Sequence, residues 1–251
     1  MQLVPTLIFS ATFIGPGLST AIPKELQPRI EPPGAWENPK VVEIDCSRGP
    51  ETCNADCYGI LCWVEPNPVQ YIYGNSQRDA QGSGAVALRK LFRQPPQARE
   101  ARGVFISDDV LRGRDSPEET VMNNADEGGQ GEIMNPVPFP DNRAIGESLE
   151  RQILAHGVSN GQYYLKKFLH TSGNPDYCAL LQAIPPDRSR CSAKGKAPAD
   201  PSRTSVIRAA ERGDWRATLF KMMDFDKGDR WVGFPKTPKR GERLEKTSQE
   251  H

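Results

Sequence analysis

The sequence predicts an α+β protein, a small mixed core with cysteine-stapled flanks. Two features carry that expectation. Short strand-like runs alternate with only a few stretches of helical periodicity, and six cysteines are spread over a chain of 251 residues that is 37% apolar and 25% charged. That length suffices for one well-packed core with appendages. Formal net charge is zero, which excludes a broadly basic surface. Any contact with nucleic acid has to come from a local patch or a bound metal.

The opening stretch, MQLVPTLIFSATFIGPGLSTA (1–21), carries no side-chain charge and has an apolar run from Leu3 to Ile14. It closes on Ser19-Thr20-Ala21, with small residues at the −3 and −1 positions of a cut after Ala21, and reads as a signal peptide of a secreted, extracellular protein. The run is too short to span a bilayer comfortably and nothing later is apolar enough, so no membrane contact is expected. Residues 22–40 are rich in proline and polar groups, an extended leader. No N-x-S/T sequon occurs.

VVEID (41–45) is a strand leading into the first cysteines, and VQYIYG (69–74) is a second, with aromatic side chains on alternate positions. Within 77–97 the run AVALRKLF has helical spacing and stops at Pro95-Pro96. GVFIS (103–107) is a short buried strand. EIMNPVPF (132–139) is another, which Pro136 and Pro138 would confine to an edge or a bulge. DNRAIGESLERQILAHG (141–157) is the strongest helix. Asp141 is placed to cap it, Ile145, Leu149, Ile153 and Leu154 fall on one face, and Gly157 follows its end. QYYLKKFL (162–169) closes as a strand. From 170 to 230 the texture is polar and proline-rich, with helical spacing only in SVIRAAERGDWRATLFKMMDF (205–225). Residues 231–251 are a charged tail, expected to be mobile.

Cys46, Cys53, Cys57 and Cys62 have the spacing C-x6-C-x3-C-x4-C, with Cys178 and Cys191 far downstream. A structural zinc site usually shows a C-x2-C knuckle, which is missing. An even count in a secreted chain predicts three disulfides, with fifteen pairings open.

The stretch SPEETVMNNADEGGQGE (116–132) admits two readings. Ser116-Pro117-Glu118-Glu119 makes a good capping box, so a short helix could start there and end at the glycines. Its carboxylates would then serve only the helix dipole and solvent. Alternatively, the glycine-rich EGGQG lets a large ligand approach closely. The strand that follows it leads to Asp141-Asn142 at a helix start, hard oxygens that suit Mg²⁺ with retained waters. Helix amides and Arg143 there could hold a phosphate.

Three marks occur in order: Glu118-Glu119, then Glu127-Gly128-Gly129, then Asp141-Asn142-Arg143 with Gly146. This ordered set resembles secreted deoxyribonucleases of the NucA/NucB type. The entry IDCSRGPETCNADCYGILCW (44–63) resembles the fungal branch of that family. The resemblance covers roughly 41–169 and implies a nuclease domain there, with 170–230 as a C-terminal extension. It further implies a site similar to the ββα-metal nucleases, in which a β-hairpin and a helix hold one divalent cation, Mg²⁺ or Mn²⁺. The implied activity is endonucleolytic hydrolysis of DNA through nonspecific contacts with its phosphate backbone, using an acidic general base in place of histidine.

Carried over by position, Glu118 would activate water and Glu119 would supply a second charge that raises its pKa. Asn142 would bind the metal with Asp141 beside it, and Glu127 would bind the metal's water shell or organise the loop. Arg143 would steady the scissile phosphate, and Gln152 would give support. His156 and His170 are read as surface or packing residues. The family usually has Asp-Glu, an aromatic, then Pro-Phe, whereas this chain has Glu-Glu followed by Thr120-Val121-Met122. The alternative is therefore a catalytically inactive, nuclease-like secreted binding protein, or a toxin or effector. A calcium loop at DFDKGD (224–229) lacks the glycine and terminal glutamate of an EF-hand. Esterase, protease, P-loop and dinucleotide-binding motifs are absent.

Overall fold

Val42 and Ile44 point inward from β1 (Lys40–Asp45), alternating with exposed Val41 and Glu43 as a half-buried strand requires. In the computed structural model, which describes residues 31–64, 70–73, 84–120, 125, 132–192, 205–211 and 218–223, β1 pairs in parallel with β5 (Tyr163–Leu169). On the other side of β5 lies the antiparallel β2 (Gln70–Ile72), giving the order β1-β5-β2. These strands fall where the sequence predicts them. The expected signal peptide, the start of the expected leader, Glu127 with its glycines, 224–229 and the charged tail lie outside the described residues. Everything below concerns the unit Pro32–His251.

The first four cysteines sit on and beside α1 (Pro50–Tyr58), which starts with Pro50 in its first turn and runs on as a π-helical turn, Gly59–Trp63. Residues on most sides of this rod are buried, from Thr52 and Asp56 to Tyr58, Leu61 and Trp63. A helix buried over most of its circumference, with only Pro50, Glu51 and Asn54 towards solvent, has no narrow apolar stripe, which is why periodicity does not announce it. Three disulfides, Cys46–Cys53, Cys57–Cys178 and Cys62–Cys191, fix it in place. Two of them tie α1 to the segment carrying α6 (Tyr177–Gln182), more than a hundred residues away. The segments after 170 thus share the core of those before it.

A second sheet has the order β3-β4-β6-β7, all antiparallel: β3 (Ser116–Glu119), β4 (Ile133–Val137), β6 (Ile207–Glu211) and β7 (Leu219–Met222). Two expectations are corrected here, and one of the two open readings of residues 116–119 is set aside. Residues 116–119 are a strand and not the first turn of a capped helix, because both faces of the hairpin are covered and strand pairing is available from 133–137. Within the stretch 205–225, expected to be helical, Ile207–Glu211 and Leu219–Met222 are strands. The segment 103–107 joins no ladder, although Val104 and Ile106 are buried and Phe105 points out.

The prolines are accommodated by register. Thr120 N–H donates to the Ile133 carbonyl at 3.2 Å, so alternate pairs exchange hydrogen bonds. Pro117 opposite Pro136 falls at a position that needs no donor. Strand β6 pairs only with Ile133 and Met134, short of Pro136, so β4 is interior to the sheet despite its prolines.

Successive residues of β4 face two different cores. Ile133 joins the larger cluster with Tyr58, Tyr164, Ile145, Leu149 and Ile153. Met134 joins a second cluster with Leu88, Leu91 and Phe220. Helix α5 (Phe139–Ala155) packs on the first side. Helix α2 (Ala85–Phe92), predicted from the sequence, packs on the second, near two short helices, α3 (Pro96–Glu100) and α4 (Asp108–Leu111). Among the described residues no helix is long and apolar enough to cross a membrane.

Candidate active site

The hairpin register decides which carboxylate faces what. Ser116, Glu118 and Thr120 share one face with Ile133, Asn135 and Val137, the side of α1 and α5. Glu119 and Pro117 point the opposite way. Glu118 and Glu119 are both buried, 4% and 8% exposed, yet adjacent strand residues cannot stand side by side.

Glu118 meets a charged group that the sequence reading missed. Lys166 Nζ lies 2.9 Å from Asp56 Oδ2, with both side chains fully enclosed, and 4.9 Å from the centre of the Tyr71 ring. Burial pushes the Glu118 carboxyl well above its ordinary value; the Asp56 charge raises it further, Lys166 opposes, and Glu119 adds a smaller push. The expected second charge thus comes first from Asp56. Burial also raises the Asp56 carboxyl, against the pull of Lys166. Among the described residues, Glu118 Oε1, Asp56 Oδ1 and Thr52 Oγ1 are enclosed without a hydrogen-bond partner. Close approach of the hairpin to α1 depends on Gly59, where a Cβ would run into the Thr120 hydroxyl.

Asn142 is brought to the same strand. Its Nδ2 donates to the Pro117 carbonyl at 3.0 Å and to Ser116 Oγ at 3.2 Å. Both amide protons are therefore engaged, and Oδ1 has no partner among the described residues. Asn142 lies one turn before Ile145 on the inward face of α5, as its helical spacing dictates.

The other predicted residues go elsewhere. Asp141 does not cap α5, which begins at Phe139 with Pro138 at its N-cap, a first turn that tolerates proline. The Asp141 carboxylate instead accepts from the Glu51 amide at the start of α1, whose own cap residue is Gly49. Burial and the Glu51 charge raise its pKa. Arg143 points outward, 68% exposed, and pairs with Glu147 at 2.7 Å. Gln152 sits about 15 Å of helical rise beyond Asn142, bonded to His156 Nε2 at 3.1 Å. His170 pairs with Asp45 at 2.9 Å on the surface. Neither histidine reaches the hairpin. Glu127 lies outside the described residues.

Arg89 of α2 does reach it. Its Nη2 donates to Ser116 Oγ at 3.2 Å, and its guanidinium sits over the Phe139 ring at 5.3 Å. Beside the hairpin, a polar cleft of about 260 Å³ opens between the first turn of α1, the end of β4 and residues 172–174, crossed by the Glu51–Arg114 pair at 2.7 Å. Neither Glu118 nor Asn142 lines it.

Among the described residues no three His, Cys, Asp or Glu side chains converge as a metal cage. Asn142 Oδ1 is a hard oxygen of the kind a divalent cation takes, whereas Glu118 Oε1 is enclosed and faces no hydrated ion as the hairpin stands. Compared with known proteins, the sequence matches no protein-family model and no curated protein.

Proposed function

We propose that the protein is a secreted, metal-dependent endonuclease that hydrolyses DNA without sequence preference. One observation carries the reading: a β-hairpin presents a buried glutamate, Glu118, on the strand that Asn142 grips from the start of a helix. This is the pairing of carboxylate, hairpin and helix-borne asparagine that the resemblance to NucA/NucB-type nucleases implies. Three disulfides suit an extracellular protein.

In this reading Glu118 takes the proton of the attacking water as its oxygen bonds to phosphorus in line with the departing ester oxygen. A glutamate of ordinary pKa is a weak base near neutrality, and the raised value of Glu118 makes it a better one. Asn142 Oδ1 would hold a divalent cation, Mg²⁺ or Mn²⁺. Such an ion, when bound, supplies charge stabilisation at the phosphate and leaving oxygens. The Nδ2 bonds of Asn142 fix the direction in which that oxygen points.

The burial of Glu118 favours a second reading, a nuclease-like scaffold that binds partners without chemistry. Supercoiled plasmid, incubated with the oxidised protein and Mg²⁺, Mn²⁺ or EDTA, separates the two. Nuclease activity predicts metal-dependent nicking that Glu118→Gln and Asn142→Ala both abolish. A folded wild type that leaves plasmid intact in either metal selects the scaffold.

A further inference from the structure

Five described arginines near the second core and the helix ends meet carboxylates: Arg93, Arg99, Arg112, Arg114 and Arg143. Arg89 meets none among the described residues. It is half-buried, its Nε is enclosed without a partner, and its contacts are the neutral Ser116 hydroxyl and the Phe139 ring. A half-buried guanidinium with no carboxylate beside it among the described residues is open to an anion. Its planar fork matches the oxygens of a phosphate, and the ring beneath it limits its freedom.

Its place gives the anion an address. Ser116 Oγ accepts from Arg89 and from Asn142, each at 3.2 Å, so cation and amide are joined through one atom. Glu118 lies two residues further along the same face of β3. Ser116 is fully enclosed, so it aims the guanidinium and is not itself a contact. Arg143 stands outside this cluster, paired with Glu147 in solvent.

We propose that Arg89, set on Ser116 and the Phe139 ring beside Asn142, is the guanidinium that binds a backbone phosphate of DNA at the hairpin–helix junction, in place of Arg143. The inference rests on the nuclease reading for its ligand but not for its test. Binding of a fluorescein-labelled DNA duplex to the full-length, oxidised protein is followed by anisotropy in EDTA and low salt, where no cleavage occurs. Arg89→Ala is expected to weaken binding about tenfold and to lower the salt slope by about one phosphate contact. Arg89→Lys, which keeps the charge and loses the fork, falls between it and wild type. Arg93→Ala, the loss of a neighbouring cation on the same helix, controls for general charge, and Arg89→Gln keeps a polar side chain should alanine unfold the protein.

Unchanged affinity in folded Arg89→Ala and Arg89→Gln overturns the inference, as does an equal or larger loss in Arg143→Ala. The same variants are assayed for nicking with Mn²⁺. Arg89-dependent binding by a wild type that never nicks sustains the inference and removes the nuclease reading. Nicking that survives Arg89→Ala with unchanged KM and kcat does the reverse.

Discussion

Lys166 Nζ and Asp56 Oδ2 form a 2.9 Å ion pair sealed inside the main core, both side chains fully enclosed. Glu118 shares the field of this pair, so one ammonium faces two carboxyl groups. Removing one member of a buried pair strands the charge of the other, whereas replacing both by apolar side chains does not. Lys166→Met is therefore expected to destabilise by about 3–5 kcal/mol, read as a lowered urea midpoint. Asp56→Leu/Lys166→Met should recover most of that loss. A double variant no more stable than the single would mean that Lys166 chiefly serves Glu118.

Glu118 makes stability depend on pH in a direction that can be stated. Its folded pKa is raised, mainly by burial, so the folded state holds this proton more tightly than the unfolded chain. Its contribution is fully present below the unfolded value, about 4.3, and is lost as pH rises through the folded one. Glu118→Gln removes that titration. Thermal melts between pH 5 and 9 should show wild type losing stability relative to the variant as pH rises, with the variant the more stable at high pH. Plasmid nicking should fall by about 10²–10⁴-fold in the variant, the usual range for a general base. Parallel melting curves would mean that Glu118 ionises as easily folded as unfolded, and the case for it as a tuned base would go.

The legible parts of this chain were those with a period. Strands β1, β2 and β5 and helices α2 and α5 follow alternation or a 3.6-residue stripe, and the structure places them accordingly. Lys166 could have been found the same way, since it takes the inward position between Tyr164 and Phe168. Asp56 could not, because α1 is buried over most of its circumference, polar residues included, and its burial leaves no pattern. Residues 116–119 misled by local chemistry: serine, proline and two glutamates suit a helix start, but a partner strand more than a dozen residues later outbids that preference through pairing and burial. Residues 205–225 misled likewise, through helical spacing in segments that complete a sheet. Arg89 had no sequence signal. Its role depends on Ser116 and Phe139, which only the fold brings to it.

Gly59 sets the distance between α1 and the hairpin. Its backbone is ordinary helix, φ −57°, so alanine strains no dihedral; the obstacle is the Thr120 side chain in the space a methyl would need. Gly59→Ala is expected to destabilise by about 1–3 kcal/mol through overpacking. Adding Thr120→Ala, which deletes both the hydroxyl and the methyl group in that space, should return part of the loss. Failure of the second change to help would place the strain in the main chain. Denaturant melts of the three variants decide it.

Asn142 joins a brace to a candidate ligand, and two substitutions pull these apart. Alanine deletes the bonds to Pro117 and Ser116 and the free oxygen together. Aspartate keeps an oxygen of the right reach but turns a donor into an acceptor facing the Pro117 carbonyl. Asn142→Ala should destabilise by about 1–3 kcal/mol, the cost of leaving buried acceptors unmet. Asn142→Asp should be worse near neutrality and should recover towards acid pH, where a protonated carboxyl can donate again. If Oδ1 binds the cation, Mn²⁺ raises the melting temperature of wild type and not that of Asn142→Ala. An equal rise in both would confine Asn142 to holding β3 against α5, and the metal ligand would have to be sought on another residue.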